Sequence, residues 1–340
     1  MAAEHESGKL GEEVKAMLRI TVGTLFLTTL AQAYTVTHVA GLPGARDVYV
    51  QGVNDNGDVV GICDMPNGDW RGFIWQEGVT SDLGSFGGGS TWASDLNNSG
   101  QVVGISEDAF GTPQAFLWTR KDGMRRLLGS RDGNRAYGIN ERGVVVGGVS
   151  GEAFVWMNGV TTYLPHNYPL SYGVQANGIN ELGKIVGTEG RNMSEFWHPV
   201  SWHRGQGSIL SGGEGYSPRV INNAGQIVGI RWFFHDFAIA VTWLDGLLIH
   251  LPRLGGEGSE AGDIDERGQI VGYSLDPDYV SHAVIWRNLE VTDLNTLIPK
   301  GSGWYLLDAG GINESGQIAG KGTFDGVRTG YLLTPVNRRP

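Results

Sequence analysis

From residue 34 to residue 335 the chain alternates apolar and small or polar positions in short runs, each closed by a glycine-bearing turn. "YTVTHV" (34–39) shows the pattern: a two-residue period over a few positions, which predicts half-buried β-strands. The runs recur as a unit. Seven copies can be superposed: "VNDNGDVVG" (53–61), "LNNSGQVVG" (96–104), "INERGVVVG" (139–147), "INELGKIVG" (179–187), "INNAGQIVG" (221–229), "IDERGQIVG" (264–272) and "INESGQIAG" (312–320). In each, an aliphatic residue precedes Asn54, Asn97, Asn140, Asn180, Asn222, Asp265 or Asn313. Glycine follows at +3 and +7, with Val or Ile at +5. Successive copies are 43, 43, 40, 42, 43 and 48 residues apart, the length of one propeller blade or solenoid coil.

Asn suits the first position of a type I turn because its side chain can bond backbone groups two residues on. Glycine after such a turn supplies the positive φ needed to re-enter a strand. The "N-x-x-G" element therefore predicts a hairpin, and its aliphatic flanks belong to paired antiparallel strands. The second glycine is expected to leave room for a neighbouring backbone or aromatic ring. Further along, a run ending in tryptophan recurs at Trp75, Trp118, Trp156, Trp202, Trp243 and Trp286, with Leu333 in the seventh copy. A short segment closing on leucine follows, as at Leu83 and Leu251. Each unit thus predicts four strands: one ending at the Asn, one carrying "VVG", one carrying the Trp, and one ending in Leu.

The seventh unit lacks its fourth strand, and "YTVTHV" stands before the first Asn at the phase of one. A closed ring uses such a permutation to remove its free sheet edges, whereas an open solenoid has no use for it. The prediction is an all-β fold: a seven-bladed β-propeller of four-stranded antiparallel blades over 34–335, the last blade completed by the N-terminal strand, with a β-solenoid as the alternative. The "IN-x-x-G-x-V-V-G" units resemble the HAF family of extracellular repeats. That resemblance implies a propeller-like fold and export but no defined reaction. The family's name-giving triplet is less well kept, with "HAV" at His282-Ala283-Val284, "QAF" at 114–116 and "EAF" at 152–154.

Composition narrows the function classes. A net charge of -11 argues against general affinity for nucleic acid, which depends on Lys and Arg neutralising phosphates. Cys63 is the only cysteine, which excludes an intramolecular disulfide and a cysteine-based zinc site. No metal and no cofactor are expected. Residues 17–33, "MLRITVGTLFLTTLAQA", place Arg19 before an apolar run and a small-x-small end, as in a secretory signal peptide. The run is too short to span a bilayer. Residues 1–16 carry four glutamates, the wrong sign for the segment before a signal core. Translation is therefore expected to start at Met17 and the mature chain at Tyr34, the alternative being an amphipathic N-terminal helix. The domain reading is 1–33 as extension plus signal peptide, 34–335 as one propeller and 336–340 as a tail, in a secreted or periplasmic monomer.

Propeller geometry puts the Asn-Gly turns on one uniform face and the second-to-third and inter-blade loops on the other, where recognition is grafted. Six of the 11 tryptophans occupy the repeated third-strand position and are assigned to the core between blades. The remaining five, Trp70, Trp92, Trp197, Trp232 and Trp304, fall in or beside variable-face loops and suggest a platform for stacking sugars or docking a cell-surface protein. Small hydrophobic clusters within long loops are the plainer explanation. Loops of units four to six add Glu195, His198, His235, Asp236, Asp276, Asp278, Tyr279 and His282. The leading reading is a non-catalytic ligand-binding scaffold; the alternative is a carbohydrate-active enzyme using those acids. "DIDERG" (263–268) and "DLNNSG" (95–100) imitate a calcium loop but place Ser274 and Ser106 where a bidentate Glu is needed.

Overall fold

The computed structural model describes residues 34–129, 133–168, 171, 173–190, 197–232 and 237–336. The expected extension and signal peptide, 1–33, lie outside them, as do Glu195, His235 and Asp236. Seven four-stranded antiparallel sheets follow one another. Blade one is β2 (Asp47–Val53), β3 (Val59–Asp64), β4 (Trp70–Gln76) and β5 (Val79–Asp82), paired in that order. Blades two to six repeat the arrangement. The fourth strands stop one residue short of the expected end: β5 closes at Asp82, and the Leu83 amide bonds the Gly72 carbonyl while its side chain enters the core.

The seventh sheet joins both ends of the chain. Strands Trp304–Ile312, Ile318–Phe324 and Val327–Pro335 are completed by β1 (Tyr34–Val39), which pairs antiparallel from Tyr34↔Pro335 to Val39↔Gly330. This is the closure that the sequence phase predicts, and Tyr34 and Val39 are buried by it. A polar seam reinforces it. Asp47 of blade one receives Lys321 Nζ at 2.8 Å and an Arg328 guanidinium nitrogen at 2.9 Å from the last blade, and Lys321 lies 3.7 Å from the Tyr49 ring centre. Burial opposes the charge on Asp47, but these two cations outweigh it and hold the carboxyl below its ordinary range.

The core lies between neighbouring blades. All six third-strand tryptophans are buried, and Leu333 takes the same register opposite Ile318 that Trp75 takes opposite Val59. The second glycine of each repeat is where backbones crowd. A side chain on Gly147 would overlap the Arg135 carbonyl and come within 2.8 Å of the Phe154 ring, and the equivalent carbonyl blocks the other six positions. Both expected neighbours, backbone and ring, are present.

The repeated Asn does more than form a turn. In the first copy Oδ1 of Asn54 accepts the Asn56 and Asp58 amides at 3.1 and 2.9 Å, and Gly57 re-enters the strand at φ 81°. Nδ2 donates to the carbonyl of the next blade's Asn97 at 3.1 Å. The link is renewed from Asn97 to Asn140, Asn140 to Asn180, Asn180 to Asn222 and Asn222 to Asp265, and Asn313 returns to the Asn54 carbonyl at 2.8 Å. Asp265 has no side-chain donor, so the circle has one gap; there the carboxylate pairs with Arg267 at 2.9 Å.

Candidate functional site

Residues of all seven first strands line an axial cavity of about 1060 Å³, and Glu107, Gly111 and Pro113 of blade two carry its wall to the variable face. The backbone explains which side chains point inward. Each first strand skips one residue in its pairing three positions before the repeat Asn, as between Ala136 and Gly138. Such a β-bulge leaves its extra residue unpaired and re-aims the side chain. Those residues are Gln51, Ser94, Tyr137, Asn177 and Arg219, with Gly262 and Gly310 in the last two blades. Two positions earlier Trp92, Arg135, Gln175, Ser217, Glu260 and Asp308 form a second ring nearer the variable face. The scaffold repeats, yet the chemistry at these two levels changes at nearly every blade.

Two carboxylates fasten the floor. Asp95 accepts the Leu96 amide at 2.8 Å and, from the next blade, the Ile139 amide at 2.9 Å; Asp263 does the same with Ile264 and Ile312. Higher up, Arg219 contacts Glu260 at 2.8 Å, and the Tyr273 hydroxyl donates to the other Glu260 oxygen at 3.2 Å. These acids are largely surrounded by protein. Desolvation accordingly pushes Asp95 up to about 7 and Asp263 and Asp308 up to about 6, with the Glu260 charge adding to the effect on Asp308.

The sequence-selected aromatics do not form one platform. Trp92 is in the cavity wall, within strand Gly87–Leu96 rather than in a loop. Trp70 begins β4 and packs edge-on against Tyr49 at 5.6 Å. Trp304 is half-buried among His38, Phe324 and Tyr331. Trp197 lies over Gly173, and Trp232, half exposed, ends its strand. Among the described residues no ring pair joins two of these five indoles. His198 is buried, 5.1 Å ring to ring from Tyr168, with Glu214 at 3.5 Å.

The acids of unit six are occupied locally. Asp276 accepts the Asp278 and Val280 amides, which leaves Asp278 on an exposed turn and Tyr279 at φ 61° against Phe237. His282 stands between Asp293 at 2.9 Å and Asp276 at 3.2 Å, with the Tyr305 hydroxyl also within reach. Among the described residues no group of three or more His, Cys, Asp or Glu is placed to hold a metal ion. Sequence reasoning missed Arg135, Tyr137, Arg219, Glu260 and Asp308. Aligning the repeats on their Asn and reading the third and fifth positions before it picks them out, because those two columns vary while the position between them stays small or aliphatic.

No family model and no curated protein matches the chain. Solved structures do. The β-propeller domain of the Trilobed protease from Pyrococcus furiosus, described as having an open velcro topology, is similar with TM-score 0.57 at 11% identity, over 85% of this chain and 94% of that one. Virginiamycin B lyase from Staphylococcus aureus gives 0.54 at 10% identity, over 89% and 100%. Pyrococcus horikoshii acylaminoacyl peptidase gives 0.51 at 12% identity, over 82% of this chain and half of its own length. Peptidases and a lyase at such low identity share the β-propeller fold alone; the seventh blade completed by the N-terminal strand is described for this chain, not for them.

Proposed function

We propose that this protein is an exported, non-catalytic scaffold that binds a glycan or similar polar ligand in the axial cavity, entered from the variable face. One observation carries the reading. The positions that build the fold are nearly identical in every repeat, whereas the two levels facing the cavity present an indole, a phenol, amides, carboxyls and guanidiniums. Folding does not call for that variety; recognition does. An indole with a few convergent polar groups in a concave site suits a sugar, whose apolar face stacks while its hydroxyls bond. Export accords with the HAF-like repeats and the apolar N-terminal segment. Among the described residues no helix is long and apolar enough to cross a membrane.

A glycan-array screen of the full chain, followed by calorimetric titration of the best oligosaccharide, tests the proposal. Trp92→Ala should weaken binding at least about tenfold, the effect of losing a stacking ring worth about 1.5 kcal/mol. Trp197→Ala, on the outer part of the face, should leave it within about twofold. Binding that ignores Trp92→Ala, or a chain that retains no glycan, would sink the reading.

A further inference from the structure

We propose that the ligand of the axial cavity carries a protonated amine, as a deacetylated amino sugar does, and that Asp308 receives it. The inference rests on the binding reading above and narrows it to a charge class. Its ground is how the cavity's charged groups are already engaged. Five carboxyl-bearing residues line the space against two guanidiniums, Arg135 and Arg219. Asp95 and Asp263 have both oxygens committed to backbone amides, and Glu107 takes the Ser90 amide. Glu260 is matched by Arg219 and Tyr273. Asp308 remains. Its carboxylate takes the Ala309 amide and, among the described residues, no side-chain hydrogen bond, while the Glu260 charge and the Lys321 and Arg219 cations, engaged with Asp47 and Glu260, stand nearby.

The wall at blade seven therefore presents an acceptor with spare hydrogen-bonding capacity beside a second carboxylate, inside a cavity large enough for a disaccharide. A sugar hydroxyl would fill the hydrogen-bonding vacancy only. An ammonium fills it with a charge-assisted bond, roughly twice as strong as a neutral one. Trp92 lies two blades round the ring from Asp308, so a ring stacked on the indole can direct a substituent toward the carboxylate.

The test compares the β-1,4-linked glucosamine disaccharide with its N,N′-diacetyl form by calorimetric titration of the full chain at pH 6.5. The wild type should bind the free amine at least about tenfold more tightly, the ratio given by one bond to a charged group. In Asp308→Asn that ratio should fall below about threefold. Equal affinities in the wild type, or a preference that survives Asp308→Asn, would overturn the charge assignment while leaving the sugar-binding reading intact. Failure of both disaccharides to bind also overturns the charge assignment, and a glycan array that stays blank removes the sugar-binding reading with it. The wild-type comparison needs no variant to fold.

Discussion

Replacing Asn54 by Asp and, separately, Asn140 by Asp distinguishes a ring held by side-chain donors from a series of independent turns. Asn54 Nδ2 bonds both the Asn97 carbonyl and Asp58 Oδ2 at 3.1 Å, and the two residues are only 5% and 9% exposed. Asn54→Asp keeps the turn bonds to Oδ1, removes both donated bonds and sets a second carboxylate about 3 Å from Asp58. Two full charges there repel by about 5 kcal/mol at an effective dielectric constant of about 20. The pair escapes by sharing a proton, which raises its folded pKa above the unfolded value. Such a group stabilises fully at low pH, and the benefit is lost as pH rises through the folded pKa. Adding about 1 kcal/mol for the lost Asn97 bond, the deficit should be about 3–5 kcal/mol at pH 8 and about 1–2 kcal/mol at pH 5.

Asn140→Asp provides the control. It loses the 3.2 Å bond to the Asn180 carbonyl, but Val144 stands where Asp58 does in blade one. Arg142, two residues on, can pair with the new carboxylate as Arg267 pairs with Asp265. The expected loss is about 1 kcal/mol at either pH. Urea unfolding followed by tryptophan fluorescence, with Cm and m read for both variants at pH 5 and pH 8, gives the four numbers. Equal losses at pH 8, or an Asn54→Asp deficit that does not grow with pH, would refute the reasoning.

Three further outcomes follow from the packing and the cavity charges. Gly147→Ala should lower stability by about 2–3 kcal/mol, because its methyl group meets the Arg135 carbonyl, whereas Gly148→Ala, whose nearest neighbour is at 3.6 Å, should stay within about 1 kcal/mol; calorimetric melting separates them. Deleting residues 34–39 strips strand Val327–Pro335 of one of its two partners and opens its edge, so soluble yield should collapse and any remaining protein should lose cooperative melting. Asp308 binds its proton more tightly folded than unfolded, so the stability it contributes is greatest below about pH 4 and declines up to about pH 6. Asp308→Asn should therefore exceed the wild type by about 1–3 kcal/mol at pH 8 and match it near pH 4, as read from melting curves across that range.

The legible part of this fold is the part governed by local rules. Glycine three residues after Asn is required by a positive φ, and the paired valines at Val59 and Val145 suit a strand buried on both faces between blades. The ring closure was legible too, since the phase of Tyr34–Val39 relative to Asn54 matches a fourth strand. The links from each Asn to the next were not. They join residues 40 to 43 positions apart, and from Asn313 to Asn54 259 apart, through a donor that the turn's bonds to Oδ1 do not involve. The cavity was hidden for a related reason. A β-bulge accepts any residue, so nothing local marks Tyr137 or Arg219 as inward-facing, and the meeting of Arg219 with Glu260 depends on the curvature of the whole ring. Trp92 stands out in the sequence as an aromatic outside the repeat pattern, in or beside a loop, but nothing local shows that it lies within the ten-residue strand Gly87–Leu96 and lines the cavity.

The most direct measurement is a crystal structure of the protein with the tightest-binding oligosaccharide from the array. The account predicts ligand density inside the axial cavity, with a sugar ring against Trp92 and polar contacts to the Asp308 side of the wall. Density seated instead on the Asn-turn face, or on the outer strands of the blades, would contradict it.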